Sequence, residues 1–277
     1  MTAFGPIMPA FAKLADGIRR IVAPNPSMMT GPGTNTYLFG NDAVAVLDPG
    51  PADERHIENI VEKSTGSIRW VIVTHTHPDH SPGATPLAKA TGAELLGIVA
   101  PDGEHQDKTF MPDRTLADGD VLETSEFKLE AVHTPGHASN HLCYRHVGLN
   151  WLFTGDHVID GSTVVIDPPD GNMKHYIESL QRCKDLRCDA LAPGHGDVIH
   201  EPDRAIDWII DHRLAREAKV VAALASNPNL TSHELVPFVY TDVDPKLYGW
   251  AERSLLAHLL KLESDGLATI VNERWTA

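Results

Sequence analysis

Cysteine is scarce in this chain of 277 residues: Cys143, Cys183 and Cys188 are its only three. Three thiols make no disulfide framework, so reduced thiols of a cytoplasmic protein are the expectation. Long apolar runs are missing as well. No stretch approaches the roughly 20 residues that a membrane helix needs, and Met1 to Asp16 has no basic start followed by an apolar run. Neither a signal peptide nor a span is expected. Positive charge is also short, with 23 Lys and Arg against 38 Asp and Glu and a formal charge of −15. From Glu201 onward the balance is eight against twelve. Nucleic-acid binders draw most of their affinity from neutralising phosphates, so this balance disfavours them. Bound metal ions would offset part of the charge locally, which leaves RNA disfavoured rather than forbidden. The chain has neither an internal repeat nor a low-complexity tract. Its 42% hydrophobic content suits one large domain plus a small one.

What is present in excess is histidine. Thr74-His75-Thr76-His77-Pro78-Asp79-His80 packs three imidazoles and a carboxylate into six residues, directly after the strand-like Trp70 to Val73. Pro78 and Pro82-Gly83 bar a helix from starting there, so the run sits on a loop at a strand end. In an extended segment His75, His77 and Asp79 share one side, and His80 can turn across to a second position. Imidazole and carboxylate are ligands for zinc and similar ions, and one such pocket can hold two. A polar surface loop rich in His is the alternative, but it would not account for the downstream elements.

Three of those elements repeat one grammar: a strand, a turn residue, then one potential ligand. They are Thr134-Pro135-Gly136-His137, Phe153-Thr154-Gly155-Asp156 and Ala192-Pro193-Gly194-His195-Gly196. Sheets deliver side chains from distant segments to a common edge in this way.

With these segments in order, the chain resembles the metallo-β-lactamase superfamily. The resemblance implies an α+β protein, an αβ/βα metallo-β-lactamase sandwich with a metal site at one edge of its two sheets. It further implies that His75, His77 and His137 hold a first ion and that Asp79, His80 and His195 hold a second. Asp156 would bridge the two, which counts against the antibiotic-hydrolysing members, since they lack that Asp. The segments Gly33 to Leu38, Gly161 to Val165 and Pro193 to Gly196, with the helical tail from Asp211 to Gly266, resemble the β-lactamase-like protein 2 branch, close to the glyoxalase II-like members. That branch implies a catalytic domain over residues 1–200 and a small C-terminal winged-helix-like domain over 201–277.

Such a site implies hydrolysis. Two zinc ions per chain, with iron or manganese as possible replacements, would lower the pKa of a shared water. Asp79 is the catalytic candidate, a ligand that also orients the nucleophile and carries protons. A small acyl ester or thioester is the favoured substrate. Single-strand-specific RNA cleavage and iron-dependent sulfur dioxygenation are the alternatives. Structural metal alone fits poorly, because structural zinc prefers closed, Cys-rich shells. The winged-helix part is expected as a lid or as an element of a homodimer.

Other residues carry weaker signals. His157 and His141 could surround the ligands or serve buried polar groups. Tyr176 could offer a hydroxyl to substrate or be a core aromatic of an amphipathic helix from Met173 to Leu186. Asn35 reads as a turn residue or as an anchor at the site. His56, His105, His200 and His258 read as surface residues. Pro101 to Arg114 reads as a loop and active-site flap, and Gly266 as the cap ending the last helix.

Overall fold

The computed structural model describes residues 9–277, so the first eight positions of the leader-free segment expected over Met1 to Asp16 lie outside the described residues. By internal contacts the chain forms two units. The first comprises Met1–Thr134, Asn140–Val164 and Leu186–Pro202, and the second Pro135–Ser139, Val165–Asp185 and Asp203–Ala277.

The first unit is built on two sheets. One holds seven strands in sequential order: β1 (Phe11–Ala15), β2 (Ile18–Val22), β3 (Asn35–Phe39), β4 (Ala43–Leu47), β5 (Ser67–Ile72), β6 (Glu94–Gly97) and β7 (Arg114–Thr115). The first four are antiparallel neighbours, and β4 through β7 run parallel. Parallel neighbours require crossovers, which α1 (Glu54–Lys63) and α2 (Ala84–Thr91) supply. Asp53 caps α1 by accepting from the His56 amide. The other sheet runs β12 (Ala190–Pro193), β11 (Trp151–Gly155), β10 (Leu142–His146), β9 (Lys128–His133) and β8 (Val121–Glu123).

Alternation along the strands divides the side chains between two cores. Tyr37, Phe39, Leu47 and Ile72 from the first sheet meet Leu129, Tyr144 and Phe153 from the second. Phe153 is the hinge of that packing, edge-on to Tyr37 at 4.9 Å and to Phe39 at 4.7 Å between centroids. Each such pair adds about 0.5–1.5 kcal/mol beyond its buried area. The opposite residues of the first sheet, Leu38, Val44, Val46 and Val71, pack with Ile60 of α1 and Leu87 of α2.

The second unit contains α3 (Met173–Asp185), α4 (Pro202–Ser226), α5 (Ser232–Val239), α6 (Tyr248–Ser264) and the hairpin β13 (Thr269–Val271) and β14 (Arg274–Thr276). Pro202 opens α4, where its missing N–H costs nothing. Thr231 and Glu234 form a reciprocal capping box at α5. Leu224, Leu235, Val239, Leu255, Leu259 and Trp275 form this unit's core. No helix among the described residues is long and apolar enough to cross a membrane.

The structure departs from the sequence reading at several points. His56 and His258 are buried, not on the surface, at 2% and 0% exposure. His56 shares the sheet-facing stripe of α1 with Ile60, one turn away. His258 lies between Leu255 and Leu262 on the buried stripe of α6. At the end of α6 the capping position belongs to Asp265, and Gly266 follows it in the left-handed region at φ 72°. Strand β1 was not anticipated, and Arg114, read as loop, enters β7.

Candidate metal centre

Every ligand candidate follows the C-terminal end of a strand. The His75 to His80 run leaves β5, and Asp156 and His195 leave the parallel pair β11 and β12. Asp48 leaves β4, the parallel neighbour of β5, and takes a left-handed φ of 50° that Asp tolerates better than most residues.

Asp48, which the sequence analysis did not single out, orients two of the imidazoles. Its Oδ1 accepts from the Thr74 amide at 2.7 Å, and its Oδ2 accepts from Thr74 Oγ1 at 2.8 Å. That same hydroxyl oxygen lies 2.9 Å from His75 Nδ1, which therefore donates to it. Asp48 Oδ2 also accepts directly from His80 Nδ1 at 2.9 Å. Carboxylate and hydroxyl partners of this kind hold a ring in one tautomer and raise the basicity of the other nitrogen. The available signal was partial, since Leu47-Asp48-Pro49-Gly50 also joins a strand end, a polar residue and a turn, but with the polar residue ahead of the turn.

The basic nitrogens so created converge. His75 Nε2 lies 2.9 Å from His77 Nδ1. His80 Nε2 faces Asp156 Oδ1 at 3.2 Å and Asp79 Oδ2 at 3.5 Å. His195 donates from Nδ1 to the Gly33 carbonyl at 3.3 Å, and its Nε2 faces Asp79 Oδ2 at 3.1 Å and Asp156 Oδ1 at 3.2 Å. Asp79, His80, Asp156 and His195 thus offer four ligand atoms within 4.8 Å of one another. His80 Nε2 and His195 Nε2 are buried and make no hydrogen bond of ordinary geometry.

A neutral ring with Nδ1–H engaged would aim its Nε2 lone pair at two carboxylates, an arrangement that requires a cation between them. Burial opposes charge on all four groups, but their mutual attraction outweighs it. His195 is raised to about 9 by Asp156 and Asp79, and Asp79 is lowered to about 2 by His80 and His195. His80 is likewise raised and Asp156 lowered. The donor set, two imidazoles and two carboxylates, suits a divalent ion.

Neighbouring residues fix this geometry. Asn35 Nδ2 donates to the carbonyls of Pro193 and Gly196, both at 2.9 Å, and so clasps the turn that carries His195. Tyr37 Oη adds a bond to Pro193 O at 2.7 Å. His141 is fully buried, with Nδ1 2.9 Å from Thr134 Oγ1, and His157 is equally buried. Gly194 leaves no room for a side chain, because a Cβ there would lie 2.8 Å from both Asp156 Oδ1 and His80 Cε1.

Two sequence candidates belong to the second unit. His137 donates from Nδ1 to the Val165 carbonyl at 2.7 Å, which makes Nε2 its basic nitrogen. Tyr176 is buried on α3, with the Arg213 guanidinium 5.5 Å from its ring centre.

Comparison with known proteins agrees with this architecture. Residues 29–195 match the metallo-beta-lactamase superfamily, and residues 231–275 match the beta-lactamase associated winged helix domain. The chain is 31% identical to a beta-lactamase-like protein 2 homolog of Drosophila melanogaster, across 94% of this chain and 92% of that protein. It is 33% identical to the thioesterase pkgB of Emericella nidulans, over 79% of this chain and 63% of the relative. The crystal structure of a beta-lactamase domain protein from Burkholderia ambifaria shares the fold. Its TM-score is 0.84 at 22% identity, covering 99% of this chain and 96% of that one.

Proposed function

We propose that this chain, which belongs to the metallo-beta-lactamase superfamily, is a two-zinc hydrolase of small-molecule thioesters or esters. The observation that carries the reading is the meeting of His80 Nε2 and His195 Nε2 with the carboxylates of Asp79 and Asp156, at 3.1–3.5 Å. Asp79, His80 and His195 would hold one ion, His75, His77 and His137 the other, and Asp156 both. When bound, such a pair of ions supplies charge that makes water acidic and polarises an acyl oxygen.

The chain's own residues supply the rest. Asp79 is the most exposed of the four clustered side chains, at 26% against 0–13% for the others, so it can meet both water and substrate. It would take the proton of the attacking water at a carboxylate oxygen and return it to the departing thiolate or alkoxide. Asp48 and Thr74 keep His75 and His80 in one tautomer, and Asn35 holds His195.

The thioesterase relative and the charge of −15 support an acyl substrate over RNA. The test is turnover of a glutathione or coenzyme A thioester and of a labelled single-stranded RNA, side by side, with Asp156→Ala as the blank for contaminants. Thioester turnover that disappears in the variant is expected. RNA cleavage that disappears in the variant, without thioester turnover, overturns the reading.

A further inference from the structure

The stretch from Pro101 to Arg114, expected as a flap, is bonded through its middle to the histidine run. The Asp107 amide donates to the carbonyl of Thr76, between His75 and His77, at 2.7 Å. Thr76 Oγ1 donates to Gln106 Oε1 at 2.5 Å and accepts from Asn140 Nδ2 at 2.8 Å. Thr76 and Asn140 are buried, where hydrogen bonds are stronger than in water. Phe110 follows, fully buried in the core that the first sheet forms with α1 and α2. Residues 106–110 are thus a fixed wall of the first unit, and they carry one carboxylate, that of Asp107.

The two oxygens of Asp107 serve different segments. Oδ1 shapes the local chain, accepting from the Thr109 amide at 2.9 Å and from Thr109 Oγ1 at 2.6 Å. Oδ2 reaches the histidine run, where it accepts from Ser81 Oγ at 2.8 Å. Ser81 is 1% exposed and directly follows His80. Its hydroxyl is not engaged in capping the next helix, because Gly83 caps α2 without a side-chain bond. The bond instead secures the turn that carries His80. The amides of His80 and Ser81 both donate to the His77 carbonyl, at 3.0 and 3.3 Å, which reverses the chain there. His80 Nε2 then faces Asp156 and Asp79. Asp48 fixes the ring of His80, and Asp107 fixes the backbone beside it.

We propose that Asp107 is a positioning residue, which through Ser81 keeps His80 where it would hold an ion together with Asp79 and His195. This rests on the two-zinc reading, and the experiment separates the two. Zinc affinity is measured by competition with a chromogenic chelator, and thioester turnover is followed alongside. The proteins are chelator-treated wild type, Asp107→Ala, Ser81→Ala, the double variant of both, and Asp107→Asn. Asp107→Ala and Ser81→Ala should each weaken one of the two zinc ions by about tenfold and leave the other unchanged. That is the lower end of what partners behind ligating His contribute. The double variant should lose no more than either single one, as residues acting through one bond do. Asp107→Asn, whose side-chain oxygen still accepts from Ser81, should lose less than Asp107→Ala. A general loss of structure would instead weaken both ions. Ser81→Ala and Asp107→Asn carry the test if Asp107→Ala does not fold. Wild-type affinity for both ions in the variants, equal weakening of both ions, or additive losses in the double variant overturn the proposal. A wild type that binds zinc but hydrolyses no thioester defeats the hydrolase reading and leaves the affinities to decide this one. A wild type that binds no zinc overturns both.

Discussion

Asp48 Oδ2 accepts from His80 Nδ1 at 2.9 Å and from Thr74 Oγ1 at 2.8 Å, so one buried carboxylate steers one imidazole directly and a second through a hydroxyl. Asp48 directly follows β4 and the imidazoles lie on the loop after β5, so the parallel pairing of those strands brings the carboxylate to the candidate metal site. Replacing Asp48 by Asn keeps the shape and removes the charge. Zinc affinity should fall by about 10- to 100-fold, as for other outer partners of ligating His. Competition with a chromogenic chelator measures it, and an unchanged affinity would contradict the role assigned to Asp48.

Gly194 offers a steric test of the same cluster. A methyl group there must displace Asp156 Oδ1 or His80 Cε1, each 2.8 Å from the ideal Cβ position. Gly194→Ala should lower turnover by about 100-fold, the cost typical of a misplaced catalytic geometry. Far-UV circular dichroism should remain unchanged. Wild-type turnover with full zinc occupancy in this variant would show that the cluster is not the working site.

The histidine run stood out because its candidate ligands crowd into six residues, where local chain geometry alone brings them near one another. Asp156 and His195 were legible because each follows a strand and a turn, and parallel β11 and β12 then carry both to one edge. Asp48 breaks that order, standing between the strand end and its turn with no imidazole beside it, so in sequence it looks like any Asp-Pro-Gly turn. His56 and His258 were misread because a single His on a helix has no period of its own. Only the stripes through Ile60 and through Leu255 and Leu262 place them inside. The sheet order was open too, since strand patterns do not specify partners.

Burial of His56 makes the fold sensitive to acid independently of the ligands. Desolvation lowers its pKa to about 4, although Asp53 nearby pulls the other way. Thr36 Oγ1 donates to the Asp48 carbonyl and accepts from His56 Nε2–H at 2.9 Å, a bond open to either ring form, so burial is what favours the neutral one. The folded pKa lies below the unfolded value of about 6.5, so this contribution is complete above pH 6.5 and is lost as pH falls through 4. The span amounts to about 3 kcal/mol. Urea unfolding of chelator-treated protein at pH 7 and pH 4.5 should show His56→Gln losing less stability on acidification than wild type. Parallel losses would mean that His56 does not carry the acid response.

Stepwise addition of zinc to chelator-treated protein, with hydrolysis of an acyl-coenzyme A thioester as the readout, tests the central claim most directly. The rate should rise from a negligible value and level off at about two equivalents, the occupancy of a two-metal hydrolytic site. Full turnover without added metal, or activity that appears only with one iron and consumes oxygen, would contradict it.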